Sequence, residues 1–231
     1  MILRRYLSLI FTIILCAGFT ITPAEAVQVS GNNTAQVLLA MESPAEDMLD
    51  AIDSKDLPRL RSLYHQLSSA MGQLNRLPIT NSAQGRKIAM QNSWFDLISL
   101  EMAEMDDFPA LANAINQFSG QLIIATDFEH GYQKDIAWMD YLGRELLLLN
   151  KFPSESTHHE ALIKVRKAEL NKTWNSIKLL LNHQQGGDAI VSKVDPVIQS
   201  LLKETDTGKL VSLSMTELDL VDDIESFFHI D

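Results

Sequence analysis

Residues 56–74, DLPRLRSLYHQLSSAMGQL, contain the pattern that decides the fold. Apolar residues recur there at steps of three and four, which places them on one face of an α-helix. Residues 107–125, DFPALANAINQFSGQLIIA, repeat this pattern 51 positions later with the same Asp-x-Pro start. A second match at an offset of 44 relates 94–101 to 138–145, each running from Trp to Glu. We interpret the repeated unit as an αα-hairpin used about three times; chance recurrence of similar helix starts is the alternative.

The same periodicity covers most of residues 35–228, and no alternating β-branched run is bounded by hairpin turns. The sequence therefore predicts an all-α fold, an antiparallel helical bundle of about seven to eight helices built from repeated αα-hairpins. The predicted helices are 35–54, 57–76, 82–106, 108–126, 131–150, 157–184, 188–204 and 214–228, with a kink or restart at Pro196. Their start and stop signals are capping boxes at 43–46, 157–160 and 214–217, and Gly186-Gly187 before a capping Asp188.

The first 26 residues have the features of a secretory signal peptide. A cationic start, residues 1–5, precedes an apolar stretch, 7–19, and Ala24-Glu25-Ala26 offers small residues at a cleavage site. We predict a signal peptide over 1–26, a flexible linker over 27–34 and one helical domain over 35–231. The mature protein is expected to be periplasmic or secreted, with no stable membrane insertion after cleavage.

Charge and cysteine content exclude several classes of function. The chain has 19 Lys and Arg residues against 30 Asp and Glu, a net charge of −11, whereas a nucleic-acid partner requires a basic surface. The one cysteine, Cys16, lies within the predicted signal peptide. The mature chain therefore excludes disulfides, thiolate metal sites, iron–sulfur clusters and c-type haem attachment.

Acidic residues are concentrated in three segments, 40–56, 96–107 and 204–231. Such segments predict an acidic surface for a cationic protein or a metal ion. The alternative explanation is that the basic segment 144–178 lies beside the acidic helices, or that both kinds of surface are simply solvated.

Two glutamates occupy unusual positions on predicted helices. On a helical wheel, Glu101 and Glu145 fall in the middle of the apolar arcs that begin at Trp94 and Trp138. A buried carboxylate must be protonated, paired or metal-bound. Pairing with Lys, Arg or Tyr is the structural interpretation, and a ligand site shared by the two repeat-related helices is the functional one. Asp96 and Asp140 fall on the opposite, solvated side of their helices.

Histidine and methionine supply the other candidate ligands. Asp127-Phe-Glu-His130 and Glu155-Ser-Thr-His158 have the carboxylate-x-x-His spacing of di-metal bundles, although exposed loop histidines are the alternative. The predicted metal-binding residues are accordingly Glu101, Glu145, His130 and His158. Five methionines at core spacing are interpreted as core filler rather than copper or haem ligands; they are Met48, Met71, Met102, Met105 and Met139.

No sequence motif names a reaction or a cofactor. Phosphate loops, zinc-protease motifs, nucleophile elbows and calcium loops are all missing from the sequence. The first hypothesis is therefore an exported helical-bundle protein that acts by binding or as an accessory protein. The alternative is a periplasmic bundle that holds a metal ion or haem through inward carboxylates, Met or His. An enzyme built from scattered residues is the third.

Overall fold

Nine α-helices make up most of what the computed structural model describes, namely residues 32–104, 107–153, 156 and 158–230. They are α1 (Asn32–Leu39), α2 (Glu42–Asp53), α3 (Leu57–Leu74), α4 (Ser82–Glu104), α5 (Phe108–Ala125), α6 (Gly131–Lys151), α7 (His159–Leu181), α8 (Gly187–Lys203) and α9 (Thr207–Phe228). No strand occurs in these ranges, so the predicted all-α bundle is confirmed. The predicted signal peptide, linker residues 27–31, and Met105, Glu155 and Thr157 lie outside the described residues.

The repeated Asp-x-Pro segments start α3 and α5 in the same way. The side chain of Asp56 accepts a hydrogen bond from the backbone N–H of Arg59, and that of Asp107 accepts one from Ala110. Each proline lies in the first turn, where its missing N–H costs no intrahelical bond. These helix starts are local, so the sequence alone predicts them correctly.

Other predicted helix boundaries are wrong. The span 35–54 is two helices that meet at residues 40–41, and α2 begins at Glu42 without the predicted cap from Ser43. The last helix begins at Thr207 and not at 214, because the Asp206 side chain caps it by accepting from Lys209 N–H. Ser214 and Glu217, predicted to form a capping box, lie buried within α9.

The turn before α8 needs its two glycines. Gly186 has a φ of +89°, which favours glycine, and Gly187 lies against the end of α7. A Cβ atom on Gly187 would lie 1.9 Å from the carbonyl oxygen of Leu181. Asp188 lies in the first turn of α8 rather than at its cap, and the helix continues through Pro196 without a restart.

Within the described residues, two hydrophobic clusters form the core. One is built mainly from α1 to α5 and contains Phe118, which is completely buried. The other is built mainly from α6 to α9 around the completely buried Trp174. The described methionines predicted as core filler are buried in these helices, at 9% exposure or less. No helix in the described ranges is long and apolar enough to cross a membrane.

Helix α6 is enclosed by its neighbours, and this determines where its polar side chains lie. It packs against α5, α7 and α9, and ten of its residues are buried. Few positions on its surface reach water, so its charged side chains must find partners inside the protein.

Candidate functional site

The predicted inward residue Glu145 is buried and fully paired. Its side chain is 6% exposed, and one oxygen accepts hydrogen bonds from Asn116 Nδ2 at 2.8 Å and Gln117 Nε2 at 2.7 Å. The other oxygen lies 3.6 Å from Nε of Arg166 on α7. The burial of Glu145 is therefore as predicted. Of the two interpretations that the sequence allowed, its contact with Arg166 corresponds to the structural one, pairing with Lys, Arg or Tyr.

Glu101 does not share this environment. It is partly exposed, next to Leu97 and Leu100, which are 39% and 55% exposed. The wheel placed Glu101 in the middle of a buried arc, and that placement is wrong because α4 is covered on only part of its apolar face. Helices α4 and α6 are not neighbours, so Glu101 and Glu145 do not form the shared site that the repeat suggested.

The two predicted histidine ligands lie at helix starts. His130 precedes α6 and stacks on Tyr132 with ring centroids 5.2 Å apart, and His158 precedes α7. Asp127, the carboxylate three residues before His130, pairs with Lys87 at 3.0 Å. Among the described residues no three His, Cys, Asp or Glu side chains group as a metal site. Metal binding by Glu101, Glu145, His130 or His158 stays a prediction.

A second polar cluster, centred on Arg144, was missed by the sequence. The Arg144 side chain is only 10% exposed, and its Nη1 lies 2.7 Å from Glu46 Oε1 of α2 and 2.5 Å from Asp140 Oδ2 of α6. Its Nη2 donates to Ser119 Oγ at 3.3 Å. Asp140 was predicted to face water, but its side chain is 19% exposed, because Arg144 one turn later draws it into this cluster.

Glu217 adds a carboxyl group with no partner to the same region. It is 0% exposed, and neither of its oxygens has a hydrogen-bond partner in the described part of the chain. It packs against α6 at Gly143, where a Cβ atom would lie 1.9 Å from Glu217 Oε2. Burial, more than the nearby charge of Asp140, raises the pKa of Glu217 well above its usual value, although the charge of Arg144 opposes the shift.

An acidic pocket opens beside this cluster, between α2, α6, α9 and the segment before α6. It has a volume of about 470 Å³, and its lining includes the carboxylates of Glu42, Glu46, Asp127, Glu129 and Glu225. Its apolar wall residues are Leu39, Phe128, Ile136, Ala137 and Ile230. No Lys or Arg belongs to the lining that the structure describes.

Two carboxyl groups of the acidic pocket, those of Glu42 and Glu225, have raised pKa values and hold their protons unusually strongly. Burial raises the pKa of Glu42 to about 7, and the negative charge of Glu46 adds to this. Burial likewise raises the pKa of Glu225 to about 7, with help from Glu46 and Asp222. Both carboxyl groups therefore titrate around neutral pH, and a cation in the pocket would favour their ionised forms.

The sequence contained a signal for this pocket, but not its location. Glu42 and Glu46 come from the acidic segment 40–56, and Glu225 comes from 204–231. Their concentration in those segments predicted an acidic surface. Only the fold brings the two segments together, because 178 residues lie between Glu46 and Glu225 in the sequence.

Comparison with known proteins yields no relative: no family model, curated protein or solved structure significantly matches this chain.

Proposed function

We propose that the protein is an exported helical-bundle binding protein and that the acidic pocket takes an organic cation. The observation that carries this proposal is a cavity of about 470 Å³ with five carboxylates and no Lys or Arg in its described lining. Cavities of this size accommodate small molecules. A surface rich in one charge favours a ligand of the opposite charge.

Two of the pocket's carboxylates are already paired, and this bears on the charge of the ligand. Glu46 pairs with Arg144, and Asp127 pairs with Lys87. Glu42 and Glu225 are partly buried and have no ion-pair partner within the described ranges. A ligand with one or two positive charges would supply the missing partner and offset the cost of burying these carboxylates.

The lining favours an organic amine over a bare metal ion. Leu39, Phe128 and Ile136 provide apolar wall surface, and aromatic rings such as that of Phe128 attract organic cations. A metal ion instead requires several oxygen ligands converging at about 2.0–2.6 Å. The described carboxylates do not group in that way.

The predicted secretory signal peptide suggests where the ligand is met. An exported protein meets small molecules and partners outside the cytoplasm, which fits a binding or accessory role. A lysine side chain of a cationic partner protein has the same chemistry as a free alkyl amine, so the pocket is compatible with either source.

Isothermal titration calorimetry on the purified protein at neutral pH and low salt tests the proposal. The probes are butylammonium, 1,4-diaminobutane, ammonium chloride, a lysine-containing peptide, Ca²⁺ and Zn²⁺. We expect an alkyl amine to bind more tightly than ammonium, because the apolar walls contribute to its affinity. Binding only of the peptide would identify a protein partner, whereas binding only of a metal would favour the alternative of a metal-binding bundle.

Matched variants locate the binding site. Glu42→Gln combined with Glu225→Gln should weaken amine binding at least tenfold. The control, Asp219→Asn combined with Glu160→Gln, removes the same number of carboxyl groups at two exposed positions outside the pocket. Failure of every amine and the peptide to bind, or equal affinity in the two double variants, would contradict the proposal. Metal analysis and an absorption spectrum of the native protein test the haem alternative.

A further inference from the structure

In the described structure, the cluster centred on Arg144 contains acceptor groups that Arg144 contacts and one carboxyl group, that of Glu217, that it does not. Arg144 pairs with Glu46, a wall residue of the acidic pocket, and its charge also acts on Glu217. Glu217 lies against Gly143, the residue that precedes Arg144, and its oxygens are unpartnered among the described residues. The Nε of Arg144 also has no acceptor there. An unused donor therefore belongs to the residue next to Gly143, which the unused buried acceptor contacts.

A buried carboxyl group without a partner is costly to keep in a protein core. Ser214, one turn before Glu217 on α9, likewise has an unpartnered and fully buried hydroxyl in the described structure. The two side chains would be expected to be apolar if their only role were packing. Both side chains thus bury polar groups that no contact in the described structure uses, and an arrangement of the cluster in which the Glu217 carboxylate is paired would remove part of this cost.

We propose that an organic amine entering the acidic pocket displaces Arg144 from Glu46, that Arg144 then pairs with Glu217, and that Glu217 releases its proton to water. This inference rests on the proposed function, because it requires an amine in the pocket. The amine cation, held among the carboxylates of Glu42, Glu46 and Glu225 that line the pocket, takes over the pairing of Glu46 as well. The O–H bond of Glu217 breaks, the resulting carboxylate pairs with the guanidinium group, and no other bond changes.

The exchange conserves charge inside the protein. One positive charge enters with the amine and one leaves as a proton, so the buried region has the same net charge before and after binding. An electroneutral exchange avoids the large cost of adding an uncompensated charge to a region of low dielectric.

The other charged groups near Glu217 are compatible with this exchange. On α6, Asp140 and Arg144 act on it directly, and on α2, Glu42 and Glu46 act on Arg144. Glu225 lies two turns further along α9 and lines the pocket. Helix α8, which also packs against α9, has its Lys193 paired with Asp223 at 2.8 Å. Arg144 is thus the one cation that acts on Glu217 in the described structure.

A first experiment tests the exchange without any ligand. Glu46→Gln removes the charge that holds Arg144 at the pocket, as a bound amine would. Infrared difference spectra should show the carbonyl band of a protonated buried carboxyl group in the wild type, assigned to Glu217 by its loss in Glu217→Gln. We expect this band to be lost in Glu46→Gln and kept in the exposed control Asp219→Asn. Retention of the Glu217 band in Glu46→Gln would overturn the exchange.

A second experiment uses the amine that binds most tightly in the calorimetric test. Titrations in two buffers with different protonation enthalpies give the number of protons released on binding. The wild type should release close to one proton more than Glu217→Gln, although Glu217 is not a wall residue of the pocket. Equal proton release would overturn the exchange and leave the proposed function intact, whereas the absence of amine binding would overturn the proposed function itself. Should Glu217→Gln fail to fold, Glu217→Met serves as the second variant without a titratable group.

Discussion

Glu217→Gln should change how the stability of the protein depends on pH. In the folded protein, burial raises the pKa of Glu217 well above the usual 4.5, so the folded state keeps this proton at pH values where the unfolded chain has lost it. For a carboxyl group with a raised pKa, the stabilising effect is complete below the pKa of the unfolded chain. It is lost as the pH rises towards and through the folded pKa.

The size of the effect follows from proton linkage. Between the unfolded and folded pKa values, one such group lowers the free energy of unfolding by about 1.4 kcal/mol for each pH unit. Glu42 and Glu225, with pKa values of about 7, also lower the free energy of unfolding as the pH rises, and their effect ends near neutral pH. Asp195 has a lowered pKa because of hydrogen bonds from Lys178 and Trp174, so its stabilising effect is lost only at more acidic pH.

Urea unfolding at a series of pH values, followed by circular dichroism, measures this dependence. The wild type should lose stability steadily from about pH 5 upward. Over that first pH unit, Glu217→Gln should lose about 1.4 kcal/mol less than the wild type, because glutamine does not titrate. Asp219→Asn, at an exposed position on α9, should follow the wild type. Parallel profiles of the wild type and Glu217→Gln would show that folding does not raise the pKa of Glu217, and would contradict this prediction.

Four further predictions concern three packing positions in the described structure and the cleavage site of the predicted signal peptide. Phe118→Ala should cost about 3–5 kcal/mol in urea unfolding, because the ring is completely buried. Gly143→Ala should cost about 1–3 kcal/mol, because its Cβ would lie 1.9 Å from Glu217 Oε2; a thermal midpoint equal to that of the wild type would contradict this packing. Glu145→Gln should lower the free energy of unfolding by about 1–3 kcal/mol, whereas Glu101→Gln should change it by no more than about 0.5 kcal/mol. Equal changes in the two variants would contradict the different burial of the two glutamates. Mass spectrometry of the exported protein should find a mature chain that begins at Val27, and an intact Met1 would exclude cleavage there.

The identity and many boundaries of the helices can be predicted from the sequence because the responsible interactions are local. Asp56 and Asp107 each cap a backbone N–H three residues later, and the two prolines fit the first turn. The start of α9 was missed although Asp206 supplies the same kind of cap. The Ser214 to Glu217 spacing resembled a stronger capping signal. Spacing alone does not distinguish a capping box from two polar residues buried within a helix.

Burial and pairing of the charged residues could not be predicted in the same way. A helical wheel ranks positions by their neighbours on one helix, but exposure depends on which other helices cover them. Glu145 is buried because α5 and α7 both contact α6, whereas Glu101 lies on the less covered α4. Asp140, placed on the solvated side by the wheel, is drawn inward by Arg144.

The sequence by itself determined the helical fold class, the acidic character and the absence of cysteine from the predicted mature chain, because periodicity and composition are properties of the chain alone. Only the tertiary structure decided where the acidic residues act. Glu46 and Glu225 come together because α2 and α9 reach the same pocket beside α6. The physical reason is that a raised pKa, an unpartnered buried carboxyl and an acidic pocket all arise from exclusion of water by distant segments. No pattern within a single helix encodes that exclusion.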